Sequence, residues 1–169
     1  TLRSGANDVS QNGSVVVGIS GNIDPSEFYG FRWTLKEGMQ ALPGLPGATI
    51  TNATAVSADG QTIAGNSSTD TNFTMGCRWK NLTMLVAIGS LSPNPPTTSQ
   101  ARGISANGNV IVGMTDPFNS ERAIRWTAGT GMQALSGGGG YWAQAASANG
   151  SVIVGYGTFG GIRWTAATG

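Results

Sequence analysis

The chain has 169 residues, of which only 10% are charged, and its formal net charge is +1. That balance leaves no electrostatic footprint for nucleic acid or an anionic membrane surface. Histidine is absent and Cys77 is the single cysteine, which excludes the common zinc sites, Ser-His or Cys-His nucleophiles and a disulfide within one chain.

In chain order, the first landmark is ANDVSQNGSVVVG, from Ala6 to Gly18. It returns as ATAVSADGQTIAG (Ala53 to Gly65), as ARGISANGNVIVG (Ala101 to Gly113) and, shortened, as ASANGSVIVG (Ala146 to Gly155). Asn-Gly or Asp-Gly between β-branched runs signals a tight hairpin, and a type I′ turn with positive φ at both central residues is expected at each. These dipeptides, at Asn12, Asp59, Asn107 and Asn149, are spaced by 47, 48 and 42 residues. Such a period marks a repeat protein, whose units bury their apolar faces only against neighbours.

After each hairpin and a variable polar segment comes a short alternating strand: Phe31-Arg32-Trp33-Thr34, Cys77-Arg78-Trp79-Lys80, Ile124-Arg125-Trp126-Thr127 and Ile162-Arg163-Trp164-Thr165. A fourth strand follows in three copies, at Gly38 to Leu42, Thr83 to Ala87 and Gly131 to Leu135. Four antiparallel strands in some 40 to 50 residues is the period of a propeller blade. The expected fold is therefore all-β: a β-propeller-like array of four blades, with repeats at 1–47, 48–96, 97–140 and an incomplete 141–169. With strands a to d in each blade, the fourth blade lacks strand d. Thr1 to Ser4 are one candidate to fill that place and close the ring by pairing the termini; otherwise the edge of the last c strand stays open as a template for another chain.

The combination of S-x-[DN]-G, the V-V-V-G or V-I-V-G run, R-W-T and G-M-Q-A-L resembles the HAF-type extracellular repeat of bacterial surface and secreted proteins. It departs from that pattern at Thr83 to Ala87 and in the shortened last unit. The resemblance implies an extracellular location, secreted or surface-attached, and a propeller-like array. It carries over no catalytic residue.

Trp33, Trp79, Trp126 and Trp164 share one repeat position, as packing between sheets requires. Arg32, Arg78, Arg125 and Arg163 alternate to the other strand face. There a guanidinium lies over a neighbouring aromatic or bridges carbonyls, or else the four cations line a central opening. Cys77 takes the slot of Phe31 and Ile124, so a buried, inert thiol is expected. Three of the four turn Asx residues are neutral Asn, which disfavours calcium, and no metal or cofactor is expected.

The b–c and d–a connections vary while the strands do not, and variable loops on a rigid scaffold are where binding is usually placed. Phe28, Tyr29, Phe73, Phe118, Tyr141 and Trp142 are the candidate contact residues on that face. The favoured reading is a non-enzymatic interaction or adhesion module binding a protein or glycan on a surface or in a matrix, without nucleic acid or membrane insertion. The alternative is a subunit of an extracellular filament or surface layer, assembled by strand exchange at the open edge of the last repeat. A third reading, a glycan hydrolase or lyase using Asp24 with Glu27 or Asp116 with Glu121, is disfavoured because those acids do not align between repeats.

Overall fold

The computed structural model describes residues 3–21, 28–69, 73–92, 98–115, 121–136, 140–158 and 160–168. They form fifteen strands and no helix. Sheet 1 holds β1 (Arg3–Val9), β2 (Val16–Gly21), β3 (Phe28–Thr34) and β4 (Gly38–Ala41). Sheet 2 holds β5 (Ile50–Val56), β6 (Thr62–Ser68), β7 (Thr74–Lys80) and β8 (Met84–Ala87). Sheet 3 holds β9 (Ser99–Ile104), β10 (Ile111–Thr115), β11 (Arg122–Thr127) and β12 (Gly131–Ala134). Sheet 4 holds only β13 (Tyr141–Ala146), β14 (Val152–Gly157) and β15 (Gly160–Thr165). Every sheet is a sequential antiparallel meander, so the chain is an all-β, propeller-like array whose last blade is one strand short.

The blades stack in chain order through three apolar cores. Val15, Val17 and Leu42 of the first unit meet Val56, Ile63 and Trp79 of the second. Ala64 and Ile88 then meet Ile111, Ile124 and Trp126, and Val112 and Leu135 meet Ala143 and Ile153, with Trp164 alongside. Strand alternation explains the pattern, because successive side chains point to opposite faces. Ile63, Ile111 and Ile153 look back at the preceding sheet while their neighbours Ala64 and Val112 look forward to the next. The tryptophans look back and the arginines forward: Arg78 lies 5.8 Å from the ring centre of Trp126. First strands of successive sheets approach one another, as β1 with β5, β5 with β9 and β9 with β13, whereas the fourth strands do not. The array therefore fans outward from its first strands.

Two expectations are corrected. Thr1 and Leu2 lie outside the described residues, and Arg3 pairs with Gly21 and Ser4 with Ser20 inside sheet 1, so Arg3 and Ser4 lengthen β1 instead of completing sheet 4. Sheet 4 likewise makes no contact with sheet 1 comparable to those between successive sheets. The hairpin turns, moreover, are not type I′, because only their glycines take positive φ, at 71–72°. In the first, Gly13 N–H donates to the Ser10 carbonyl at 2.9 Å, a type I turn with Ser at the first position and Gly at the fourth. Asn12 Oδ1 accepts from Ser10 Oγ and from the Ser14 N–H. The Asn side chain thereby fixes a six-residue connection that the dipeptide alone does not reveal.

A bulge recurs as well. Asn7, Thr54, Arg102 and Gln144 have no cross-strand partner in the ladders of their sheets. Opposite each bulge lies Gly18, Gly65, Gly113 or Gly155, where an added Cβ would strike the carbonyl oxygen of Gly5, Asn52, Gln100 or Trp142. The bulge re-aims one side chain: Asn7 donates to the Ala53 carbonyl at 2.7 Å and Thr54 to the Ala101 carbonyl at 3.0 Å, each tying one blade to the next.

Cys77 is wholly buried beside Trp79, and burial pushes its thiol up to about 12. The turn glycines separate conformational cost from stacking cost. Gly150 abuts Val110 of the preceding sheet, whereas an added Cβ at Gly13, with no sheet ahead of it, meets nothing within 4 Å. Both have φ 72°, so Gly150→Ala should destabilise by about 1–3 kcal/mol more than Gly13→Ala, the typical cost of overpacking. Denaturant unfolding of the two variants measures that difference, and equal losses would remove the turn glycine from the interface.

Candidate interaction surfaces

Because every sheet is a meander, the b–c and d–a connections leave at one end and the a–b and c–d turns at the other. At the first end, Phe118, Asp24, Glu27, Asp70 and Asp116 lie outside the described residues. The remaining candidates do not form one platform. Tyr29, 49% exposed, stands on the uncovered side of sheet 1, where it frames an apolar hollow of about 200 Å³ with Phe31, Met39 and Ala41. Phe28 and Phe73 are half-buried. Tyr141 packs against the third core, between sheets 3 and 4.

Trp142 joins Tyr156, an aromatic of the variable segment that follows the last hairpin, and Arg102, which the sequence did not bring to it. Its ring meets Tyr156 edge to face at 4.8 Å, and the Arg102 guanidinium lies 5.9 Å from its centre. Arg102 reaches it because it occupies the bulge position of β9. A glycine at one fixed place in every b strand was the available signal, since glycine inside a strand marks a bulge or a close approach. Tyr156 is 40% exposed, and the Trp142 indole N–H has no acceptor among the described residues.

The opposite end carries Arg32, Arg78 and Arg125, in spaces between blades and not around a central opening. Arg32 pairs with Glu37 at 2.8 Å in a cavity of about 270 Å³ that Gly60, Gln61 and Asn81 of the next unit help to enclose. A hydrogen bond from the Arg32 guanidinium holds the exposed Glu37 carboxyl below its ordinary value. Asp59 lies close by, lining a wider hollow with Arg32 and Glu37. Arg78 and Arg125 share a separate cavity of about 330 Å³ lined by Asn107, Asn109, Asn149 and Thr127 and, among the described residues, by no carboxylate. Among the described residues Arg32–Glu37 is the sole ion pair, and the Nε of both Arg78 and Arg125 is buried without a partner. The difference follows from one repeat position: Glu37 is replaced by Thr83 and Thr130 in the next two blades.

The Asp59 carboxyl is held below its ordinary 3.8, first by the Ser57 hydroxyl and then by the Gln61 N–H. A depressed carboxyl adds stability above its unfolded value, and that stability is lost as pH falls through the folded value. Asn12, Asn107 and Asn149 accept the equivalent bonds without titrating. The melting temperature of Asp59→Asn relative to the parent should therefore rise as pH drops from 5 to below 3. A difference independent of pH would contradict this role.

No helix among the described residues is long and apolar enough to cross a membrane, and they hold no group of three potential metal ligands. No family model and no curated protein sequence matches the chain. Among solved structures it is similar to a putative TolB from Agrobacterium tumefaciens, with TM-score 0.63 and 15% identity over 94% of this chain and 54% of that one. It is also similar to TolB from Acinetobacter baumannii, with TM-score 0.54 and 14% identity over 98% of this chain and 43% of the other. The chain thus spans about half the length of these structures, and what it shares with them is the propeller-type fold.

Proposed function

We propose that the chain is a non-enzymatic interaction module of a secreted or surface-attached protein of the HAF-type repeat kind, binding a protein or glycan at the end where the b–c and d–a loops emerge. The observation that carries this reading is the Trp142–Tyr156–Arg102 cluster. Trp, Tyr and Arg are the residues that dominate binding energy at interfaces, and an indole meeting a half-exposed phenol edge to face offers apolar area with a polar handle. The similarity to the TolB structures supports the scaffold and leaves the ligand to this cluster. Trp142→Ala or Tyr156→Ala should weaken capture on a glycan array, or of a surface protein by pull-down, by about 30-fold, the scale of a 2 kcal/mol hot spot. Capture unchanged in both variants would contradict the reading.

A second reading, a subunit that self-assembles, is favoured by the last sheet. Among the described residues its strand β15 has no fourth strand beside it, and Val154 is 43% exposed where the equivalent Val17, Ala64 and Val112 are 0% exposed. Sheet 1 offers the other half of a blade interface, with Val9, Tyr29 and Met39 about half exposed and Trp33 on that side. The occupant is a second copy, docked head to tail so that Arg163 covers Trp33 as Arg78 covers Trp126. Sedimentation at rising concentration should show assembly that Arg163→Glu and Trp33→Glu each abolish; a strict monomer would remove this reading.

A further inference from the structure

We propose that the cavity framed by Arg78 and Arg125 is an anion site, taking a small organic molecule through a carboxylate or sulfate group. It lies at the turn end of the sheets, away from the aromatic cluster, and does not depend on it.

Two guanidiniums face one space of about 330 Å³ with no carboxylate among the described residues of its lining. Partly buried like charges without a counterion are costly, and a bidentate acceptor is what a guanidinium fork is shaped to take. The remaining lining supplies donors. Asn107 Oδ1 is occupied by Ser105 Oγ at 2.7 Å and the Asn109 N–H at 3.1 Å. Asn149 Oδ1 is occupied in the same way by Ser147 Oγ at 3.2 Å and the Ser151 N–H at 3.0 Å. With their acceptor atoms spent in the turns, both amides have only their NH₂ groups left to offer. The cavity is thus cationic and donor-rich.

The blade pair before it supplies the contrast. There Arg32 is neutralised by Glu37, and the turn position of Asn107 and Asn149 is held by Asp59, which accepts the same two bonds at 2.6 and 3.0 Å. One scaffold therefore carries a compensated version and an uncompensated version of the same interblade space. The volume lies at the lower end of small-molecule pockets, roughly 300 Å³ and upward, and so exceeds what a bare oxyanion fills. An acidic monosaccharide, a guanidinium pair on its charged group and amides on its hydroxyls, matches both size and chemistry.

The test is titration of the whole 169-residue chain with glucuronate, glucose and inorganic sulfate, followed by calorimetry or by the shifts of the Asn107 and Asn149 side-chain amides in NMR. Glucuronate should bind saturably and glucose should not. Asn149→Asp preserves the turn, as Asp59 demonstrates, but turns a donor into a carboxylate, and it should weaken glucuronate binding on the order of tenfold or more, the scale of one charge-assisted hydrogen bond. Arg125→Met should do the same with its melting temperature checked, and Glu37→Gln should leave affinity unchanged. Glucuronate binding unaffected by Asn149→Asp and Arg125→Met, or no binding at millimolar concentration, would overturn the site. Sulfate binding with glucuronate excluded would overturn the assignment to an organic anion.

Discussion

The structure depends on each sheet having two apolar faces that are used in turn, one against the sheet before and one against the sheet after. A meander of three or four short strands cannot bury both faces of itself. The b strands meet this constraint by placing adjacent apolar residues on opposite faces: Ile63 back and Ala64 forward, Ile111 back and Val112 forward. The Trp of each c strand fills the backward side and the Arg next to it covers the forward one, so the interface is asymmetric and its two halves are distinct. Polar ties reinforce the same direction. Ala58 N–H donates to the Ala106 carbonyl and Asn107 N–H to the Ala148 carbonyl, both within 3.0 Å.

Much of this was legible in the sequence because the signal is repetitive. Trp33, Trp79, Trp126 and Trp164 at one repeat position, each after an Arg, gave the strand faces their sense, and the Ser-x-Asx-Gly phrase placed the connections. What escaped was geometry that single residues do not announce. The turn type depends on an Asn side chain folding back on Ser10 and Ser14, which the dipeptide Asn-Gly does not distinguish from a two-residue turn. The bulge at Asn7, Thr54, Arg102 and Gln144 involves four unlike residues, and only the glycine opposite them is constant. Closure by the first residues failed because Arg3 and Ser4 gain ladder bonds within their own sheet.

The candidate surface was legible only in part. Tyr29 and Trp142 both lie at variable loops, but the stacking of blades puts them on the two outer sheets, three interfaces apart. Tyr156 belongs to the variable segment after the last hairpin, whereas Arg102 reaches Trp142 through the bulge, a relation of tertiary structure. At the other end, the replacement of Glu37 by threonine in later blades was visible in the sequence. Its consequence was not, because the neighbours of Arg78 and Arg125 come from two further blades. Repetition thus supplies the scaffold, and departures from repetition supply the chemistry.

If blade stacking is what holds the array together, protection should follow the number of covered faces. Native-state amide hydrogen exchange, read strand by strand, measures this most directly. The amides of β6, β7, β10 and β11, in sheets covered on both sides, should exchange only through global opening, while those of β3 and β15, in sheets covered on one side, should exchange sooner. Equal protection in all four sheets, or slowest exchange in sheet 4, would show that the blades stand by themselves and that stacking is not their support.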